Sequence, residues 1–325
     1  MTTTQQIAGQ EWRPNLFIAG FNKCGTTELS DYLSQHPDIF LSVEKEPNTF
    51  WGPEKYPIYI TGDRSGNRRK RIFSLDDYYN LFSKGEKYRY RIDGTVSYTF
   101  DPKFSHILKS FSENAKVILL IRNQAHRLAS IYFQTFVYHK ENDFSRWLQE
   151  YFIPDMNTFL YYDKVVAYYQ EFGDNSNSNN NLRVIETNNL GSEDVHKQIF
   201  EYLEVKPIKI NIRHKNANLL GPEDSKAYRQ LILTLTSIKL GTLRIAQQIG
   251  LEDQANRGYY VAGDLARQLL KRKRHNKRRN SSSNTSNYSD MIKLIPDTIS
   301  SILDEDYRKT IDFAVQKRIM IRPVC

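Results

Sequence analysis

The stretch LFIAGFNKCGTTELSDYL, residues 16–33, restricts the possible folds more than any other part of the chain. Leu16, Phe17, Ile18 and Ala19 form the short apolar run of a central parallel strand, which is buried on both faces. Leu29, Tyr32 and Leu33 recur at helical spacing and face back onto that strand, on an amphipathic helix starting near Thr26. Between strand and helix lie Gly20 and Gly25, with Lys23 in the turn and Thr26 and Thr27 at the helix mouth. Such a turn aims several backbone N–H groups, and the positive end of a helix dipole, at one point in space. That point is an anion site, with phosphate the expected anion. The plainer alternative is an ordinary strand–turn–helix in which Lys23 is incidental.

A nucleotide triphosphatase loop reads GxxxxGK[ST], with its lysine directly after the second glycine. Here Thr26 follows Gly25, and the only lysine, Lys23, lies two residues before it. The phosphate cradle is kept while its cation moves to the other side. This pattern resembles the 5′-phosphosulfate loop of sulfotransferases that use 3′-phosphoadenosine 5′-phosphosulfate (PAPS). It is most similar to the bacterial and heparan-sulfate-type carbohydrate branch, where K-x-G-T-x-x-L follows a hydrophobic strand.

The clearest strand in the chain is KVILLIR, residues 116–122, which runs into NQAHRLASIY. Arg122 lies at the carboxyl end of an expected parallel strand, where α/β sheets place ligands. Ser130, two turns into the next helix, could add a hydroxyl to a phosphate held by the Arg122 fork. The bland alternative pairs Arg122 with a carboxylate and leaves Ser130 on a solvated face. The segment resembles the second sulfotransferase signature, strand–R-N-P-x-x-R-x-x-S-x-Y, which binds the 3′-phosphate. Gln124 replaces the usual proline, a change that affects the helix start more than the chemistry.

Two carboxylates enter through the resemblance. Lys45-Glu46-Pro47, followed by Phe50 and Trp51, matches the K-E and aromatic pattern of this branch, whose glutamate is the presumed base for the acceptor. Pro47 keeps Glu46 out of the helical region, on an extended or turn backbone. A surface Glu beside a surface Lys is the ordinary reading of the same residues. A second core strand is expected over residues 88–95. The following TVSYTF resembles the family's S-P-x-Y-F segment, but Asp93-Gly94 stands where Glu-Lys is common. One expected substrate-facing lysine is thereby missing, and Asp93 becomes the understudy to Glu46.

The remaining elements are coarser. Helices are expected over residues 74–82, from 101–102 to about 112, over 192–203, and from Asp297 to about Met320, with a strand over 182–186. The aromatic stretch 138–172 has helical spacing, and DNSNSNNN (174–181) reads as a mobile polar loop. Resemblance covers residues 16–204 well and the rest thinly. The C-terminal lysine, glycine and arginine loop of the family has only weak stand-ins in Arg213, His214 and Lys215. One sulfotransferase domain over 1–325 is expected, with a less recognisable helical and basic insertion at 222–290, including a helical segment at 228–240. Within it, residues 271–290 are expected to be mobile.

Net charge is +9, but the run from Lys271 to Arg279 (KRKRHNKRR) supplies seven of those charges, leaving +2 elsewhere. A near-neutral body with one basic run weakens any case for general nucleic-acid binding. That run reads either as a solvated charge run or as a guide for an acidic acceptor or an anionic lipid surface; with the cluster Arg68 to Arg71 it would carry the nucleic-acid or membrane-binding alternative. No 18-residue apolar stretch is present, Cys24 and Cys325 form no zinc spacing, and no signal peptide is expected. A cytoplasmic enzyme of bacterial type is expected, without the membrane anchor of Golgi sulfotransferases.

The resemblance implies an α/β, P-loop-like three-layer fold with a central parallel β-sheet flanked by helices. It also implies PAPS as donor, 3′-phosphoadenosine 5′-phosphate as product, no metal, and a glycan, lipid or small-molecule acceptor. Lys23, Glu46 and Asp93 are the catalytic candidates; Lys23, Cys24, Gly25, Thr26, Thr27, Arg122 and Ser130 are the nucleotide-binding ones. A nucleotide kinase and a non-catalytic binder of nucleic acid or anionic membrane remain the alternatives. The kinase lacks its lysine after Gly25, and the binder leaves Lys23, Arg122 and Ser130 without a role.

Overall fold

The structure, a computed structural model, describes residues 12–42, 44, 46–50, 57–61, 74–139, 143–173, 180–209 and 288–323. Lys45, Trp51, the cluster 68–71, Arg213, His214, Lys215, the segment 228–240 and the basic run 271–279 lie outside these residues, as does most of 174–181. The chain divides into two compact units, residues 1–217 with 292–325 and residues 218–291, and the site lies wholly in the first.

Among the described residues six parallel strands make the sheet. They are β1 (Leu16–Ile18), β2 (Ile39–Leu41), β3 (Tyr90–Asp93), β4 (Lys116–Ile121), β5 (Leu182–Glu186) and β6 (Met320–Ile321), in the order β2-β3-β1-β4-β5-β6. The fold is a three-layer α/β fold with this sheet at its centre. β1 and β4 pair in register, Leu16 with Lys116 and Ile18 with Ile118. Both are fully buried over residues 16–18 and 117–121, which is why they read as unbroken apolar runs rather than alternating ones.

From β1 the chain crosses to β2, returns beside β1 as β3, then crosses to β1's other side as β4. The order therefore reverses between β1 and β4. In an open parallel sheet the crevice at the carboxyl ends of such strands receives the ligand.

Helix α1 (Thr26–Leu33) follows β1, and α5 (Gln124–His139) follows β4. Between them come α2 (Ile58–Thr61), α3 (Leu75–Asn80) and α4 (Lys103–Phe111). Ser74 caps α3 by accepting the Asp77 N–H at 3.1 Å. The aromatic stretch after α5 is less regular than its spacing suggests: α6 (Phe144–Trp147), a π turn, a 3-10 turn at Ile153–Asp155, α7 (Met156–Phe159) and α8 (Tyr162–Phe172). Pro154 lies inside that 3-10 turn, where it cannot donate to the preceding helix. Helix α9 (Glu193–Leu203) follows β5; α10 (Tyr288–Ile292) and α11 (Asp297–Gln316) complete the described helices.

Two expectations change. The second core strand is shorter, ending at Asp93, and Val96–Thr99 is a 3-10 turn. The last helix stops at Gln316, and Met320–Ile321 instead pairs with Val184 and Ile185 as a sixth strand. Its stop is a left-handed Arg318 (φ 54°), with the Arg318 N–H donating to Val315 and the Ile319 N–H to Ala314, both at 3.0 Å. This double bond is a Schellman closure, which glycine usually marks and arginine does not.

Candidate active site

The turn after β1 depends on two glycines. A Cβ on Gly20 would stand 2.6 Å from Thr26 Cγ2 and 2.7 Å from Leu120 Cβ, so strand, helix mouth and β4 close together only without a side chain there. Gly25 has φ 89°, and a Cβ on it would stand 2.9 Å from Leu190 Cδ1. As the residue before α1 it offers no capping side chain, so the first-turn N–H groups point at the loop mouth. Thr26 is buried against Gly20, whereas Thr27 is exposed.

Lys23 has φ 65°, in the left-handed region. Its carbonyl accepts from Arg122 Nη1 at 3.5 Å, so the two cationic residues proposed for opposite ends of the nucleotide come from adjoining strands to one crevice. Ser130 is fully buried on α5, two turns beyond Arg122. His126 sits on the first turn of α5, where partial burial and the nearby Arg122 charge lower its pKa.

Side chains from distant segments hold this loop in place, and sequence reading gave them no role. Arg127 is fully buried on α5. It donates from Nε to the Asn22 carbonyl at 3.1 Å, from Nη2 to Asn22 Oδ1 at 2.6 Å, and from Nη1 to the Phe159 carbonyl. Its guanidinium carbon lies 3.8 Å from the Phe159 ring centre. The Thr187 hydroxyl bridges the carbonyls of Cys24 (2.7 Å) and Ile121 (2.9 Å), fastening the loop to the end of β4. Tyr161 donates its hydroxyl to the Arg122 carbonyl at 2.9 Å and lies 3.5 Å from Cys24 Sγ. Cys24 is a free thiol, fully buried, and that burial raises its pKa against the opposing charges of Arg127, Arg122 and Lys23. Only Arg127 had a visible signal, as the second arginine of the strand-R-N-P-x-x-R pattern.

The second carboxylate group gathers at the end of β3. Glu46 has φ 55°, left-handed rather than extended, so Pro47 keeps it out of the right-handed helical region as expected but in a different basin. Asn48 follows with φ 57°, and its side-chain amide donates to the Glu46 carbonyl. The Asn48 N–H reaches Thr95 Oγ1 at 3.4 Å, and Ser97 donates to Asn48 Oδ1 at 2.5 Å. Thr95 in turn donates to Asp93 Oδ1 at 2.6 Å. Asp93 is buried and also accepts from Tyr78 (2.6 Å) and Tyr98 (3.4 Å). Burial raises its pKa to about 6, and the hydroxyl donors only partly offset that. Gly94 places this corner against α1, for a Cβ there would lie 3.1 Å from Ser30 Oγ.

Among the described residues five non-glycine ones have positive φ: Lys23, Glu46, Asn48, Glu204 and Arg318. The last two close helices α9 and α11. The first three lie in the two loops just described, and strain at functional loops is where such conformations concentrate. Among the described residues no cluster of His, Cys, Asp and Glu could hold a metal ion, and no helix is long and apolar enough to cross a membrane.

The sulfotransferase domain model matches residues 13–206, more than half of the chain, and the chain belongs to that family. Carbohydrate sulfotransferase 15 of Mus musculus is 34% identical over 80 residues, covering 23% of this chain and 13% of that protein. The Homo sapiens protein of the same name is 36% identical over 69 residues, covering 21% of this chain and 11% of its own length. The chain thus matches only a small part of these relatives. A sulfotransferase structure from Alicyclobacillus acidocaldarius aligns with a TM-score of 0.49 at 23% identity, covering 75% of this chain and 99% of that one.

Proposed function

We propose that this sulfotransferase takes a sulfuryl group from PAPS and transfers it to a hydroxyl or amine of a glycan, glycolipid or small natural product. The observation that carries this reading is the meeting of the Lys23 turn with Arg122 at the switch point between β1 and β4. A donor with a phosphate at each end needs two anion sites at a fixed spacing, and these two segments supply them. Gly25 caps α1 without a side chain, so the first-turn N–H groups suit a phosphate approaching the loop mouth. Gly25, Thr26, Thr27 and the Cys24 backbone would hold the 5′-phosphate; Arg122 and Ser130 would hold the 3′-phosphate.

Transfer would be an in-line displacement, in which positioning and electrostatics do most of the work. The new bond joins acceptor oxygen or nitrogen to sulfur, and the bond from sulfur to the bridging oxygen breaks. Lys23 neutralises charge on that oxygen as 3′-phosphoadenosine 5′-phosphate leaves. Glu46 takes the acceptor's proton. Asp93 is the other carboxylate within this region, but its three hydroxyl donors and its burial suit it better to holding the Asn48 corner than to meeting an acceptor. The names of the curated relatives make a carbohydrate the first acceptor to try, and the run from Lys271 to Arg279 favours an anionic one. The free, buried Cys24 thiol suits a reducing cytosol.

Thermal unfolding with nucleotides tests the donor. At 100 times its dissociation constant, 3′-phosphoadenosine 5′-phosphate should stabilise the protein by about 2.7 kcal/mol. AMP and ADP at equal concentration should give much less. Arg122→Ala should erase most of the difference. Equal shifts with ADP would remove the assignment.

A further inference from the structure

Tyr161 touches both phosphate-binding segments at once. Its hydroxyl donates to the Arg122 carbonyl at 2.9 Å, accepts the Arg122 N–H at 3.4 Å, and lies 3.5 Å from Cys24 Sγ. The ring is fully buried, 4.3 Å centre to centre from Phe21 on the loop and 5.0 Å from the Arg127 guanidinium carbon. Nothing in the proposed chemistry uses it.

What fixes Tyr161 comes from the far end of the chain. Asp306, buried on α11, accepts the Tyr161 N–H at 2.8 Å and the Tyr162 N–H at 3.1 Å, where α8 begins. The same carboxylate accepts from the Gln124 side chain, at the first position of α5. Gln124 stands where the family signature has proline, and a proline could not make this bond. Thr310, one turn along α11, donates back to the Asp306 carbonyl at 2.7 Å. Asp306 therefore ties the starts of α5 and α8 to one another, and Arg122 lies two residues before the former.

We propose that Tyr161 is a positioning residue that sets the Arg122 backbone relative to the loop after β1, and that Asp306 on α11 sets Tyr161. The consequence is a specific one. Arg122 is the group read as recognising the 3′-phosphate, so loosening its backbone should weaken discrimination for that phosphate more than binding at the loop. The thiol contact on the loop side is the weaker of the two, being longer and to sulfur.

This rests on the reading of a 3′-phosphorylated nucleotide, and calorimetry separates the two ideas. Wild type, Tyr161→Phe and Asp306→Asn are titrated with 3′-phosphoadenosine 5′-phosphate and with AMP, with urea unfolding run in parallel. Tyr161→Phe should bind the bisphosphate roughly 3- to 10-fold more weakly while AMP affinity stays within about twofold. Asp306→Asn should shift the ratio the same way by less, since an amide oxygen can still accept one of the N–H groups. A merely structural role would weaken both nucleotides alike, leaving the ratio unmoved and overturning the proposal. If Tyr161→Phe does not fold, the ratio in Asp306→Asn decides. A wild type with no preference for the bisphosphate would sink the reading of the donor itself, and the coupling with it.

Discussion

The loop after β1 is held by the buried side chains of Arg127 on α5 and Tyr161 at the start of α8, and by partly buried Thr187 after β5, all more than 100 residues away in sequence. The segment around Glu46 is held differently. It hangs on polar bonds from Asn48 to Thr95 and Ser97, about half as far along the chain, and Glu46 itself is half-buried. The contrast follows from what each region must present. A phosphate cradle works through main-chain N–H groups, whose directions only a rigid backbone can fix. A base works through one side chain, whose reach tolerates a backbone fixed at fewer points. On the proposed reading, the donor side is built into the core, and the acceptor side is attached to it through the Asp93 network.

The sharpest way to break this division is Glu46→Gln, which keeps shape and hydrogen bonding but cannot take a proton. Turnover should fall roughly 10²–10⁴-fold, with nucleotide affinity nearly unchanged. Full activity in that variant would move the base elsewhere and leave the Glu46 segment without its catalytic part. Lost nucleotide affinity would show that the two sides are not separable.

Next in size is Arg127→Met, aimed at the donor side. It would leave the Asn22 carbonyl, Asn22 Oδ1 and the Phe159 carbonyl without their buried donor. A loss of about 2–4 kcal/mol is expected by urea unfolding, because orphaned buried acceptors carry most of their desolvation penalty. Affinity for 3′-phosphoadenosine 5′-phosphate should fall with it. Unchanged affinity in a destabilised variant would mean that the loop holds its shape without Arg127.

Sequence reading reached the parts whose chemistry is local. The apolar runs of β1 and β4, the glycines of the turn, and Arg122 with Ser130 on one strand–helix unit all follow from spacing within about 20 residues. Arg127, Tyr161, Thr187 and Asp306 were not legible in the same way. Their roles depend on which carbonyl or N–H group the fold brings beside them; Arg127 stands in the signature, but its spacing there does not show which groups it reaches, and nothing near the other three marks them. The end of α11 escaped for another reason. Its left-handed stop falls on Arg318, so the usual glycine signal is absent, and the sixth strand behind it is only two residues long. Glu46 lies between these cases: its type and distance from the loop were readable, but its left-handed backbone was not.

The smallest effect concerns the link between the two sides. Asp93 is buried with its pKa raised to about 6, above the 3.8 of an unperturbed aspartate. The folded state therefore holds this proton more tightly than the unfolded one. Its contribution to stability is fully present below about pH 4 and is lost as pH rises through about 6. The loss amounts to about 1–3 kcal/mol, since a tenfold change in proton affinity is worth about 1.4 kcal/mol. Asp93→Asn stays neutral and can still accept from Thr95 or the tyrosines, so it should lack this slope. Urea unfolding of both proteins between pH 4 and pH 8 should show curves that nearly meet at the acid end, separate between about pH 4 and pH 6 and stay apart above it, the variant being the more stable there. Parallel curves would mean that Asp93 keeps its charge when folded, with its three hydroxyl donors outweighing burial. The Asn48 corner would then rest on a carboxylate that stays ionised down to about pH 4, a firmer support in mild acid than burial allows, and the difference between the two sides of the site would narrow.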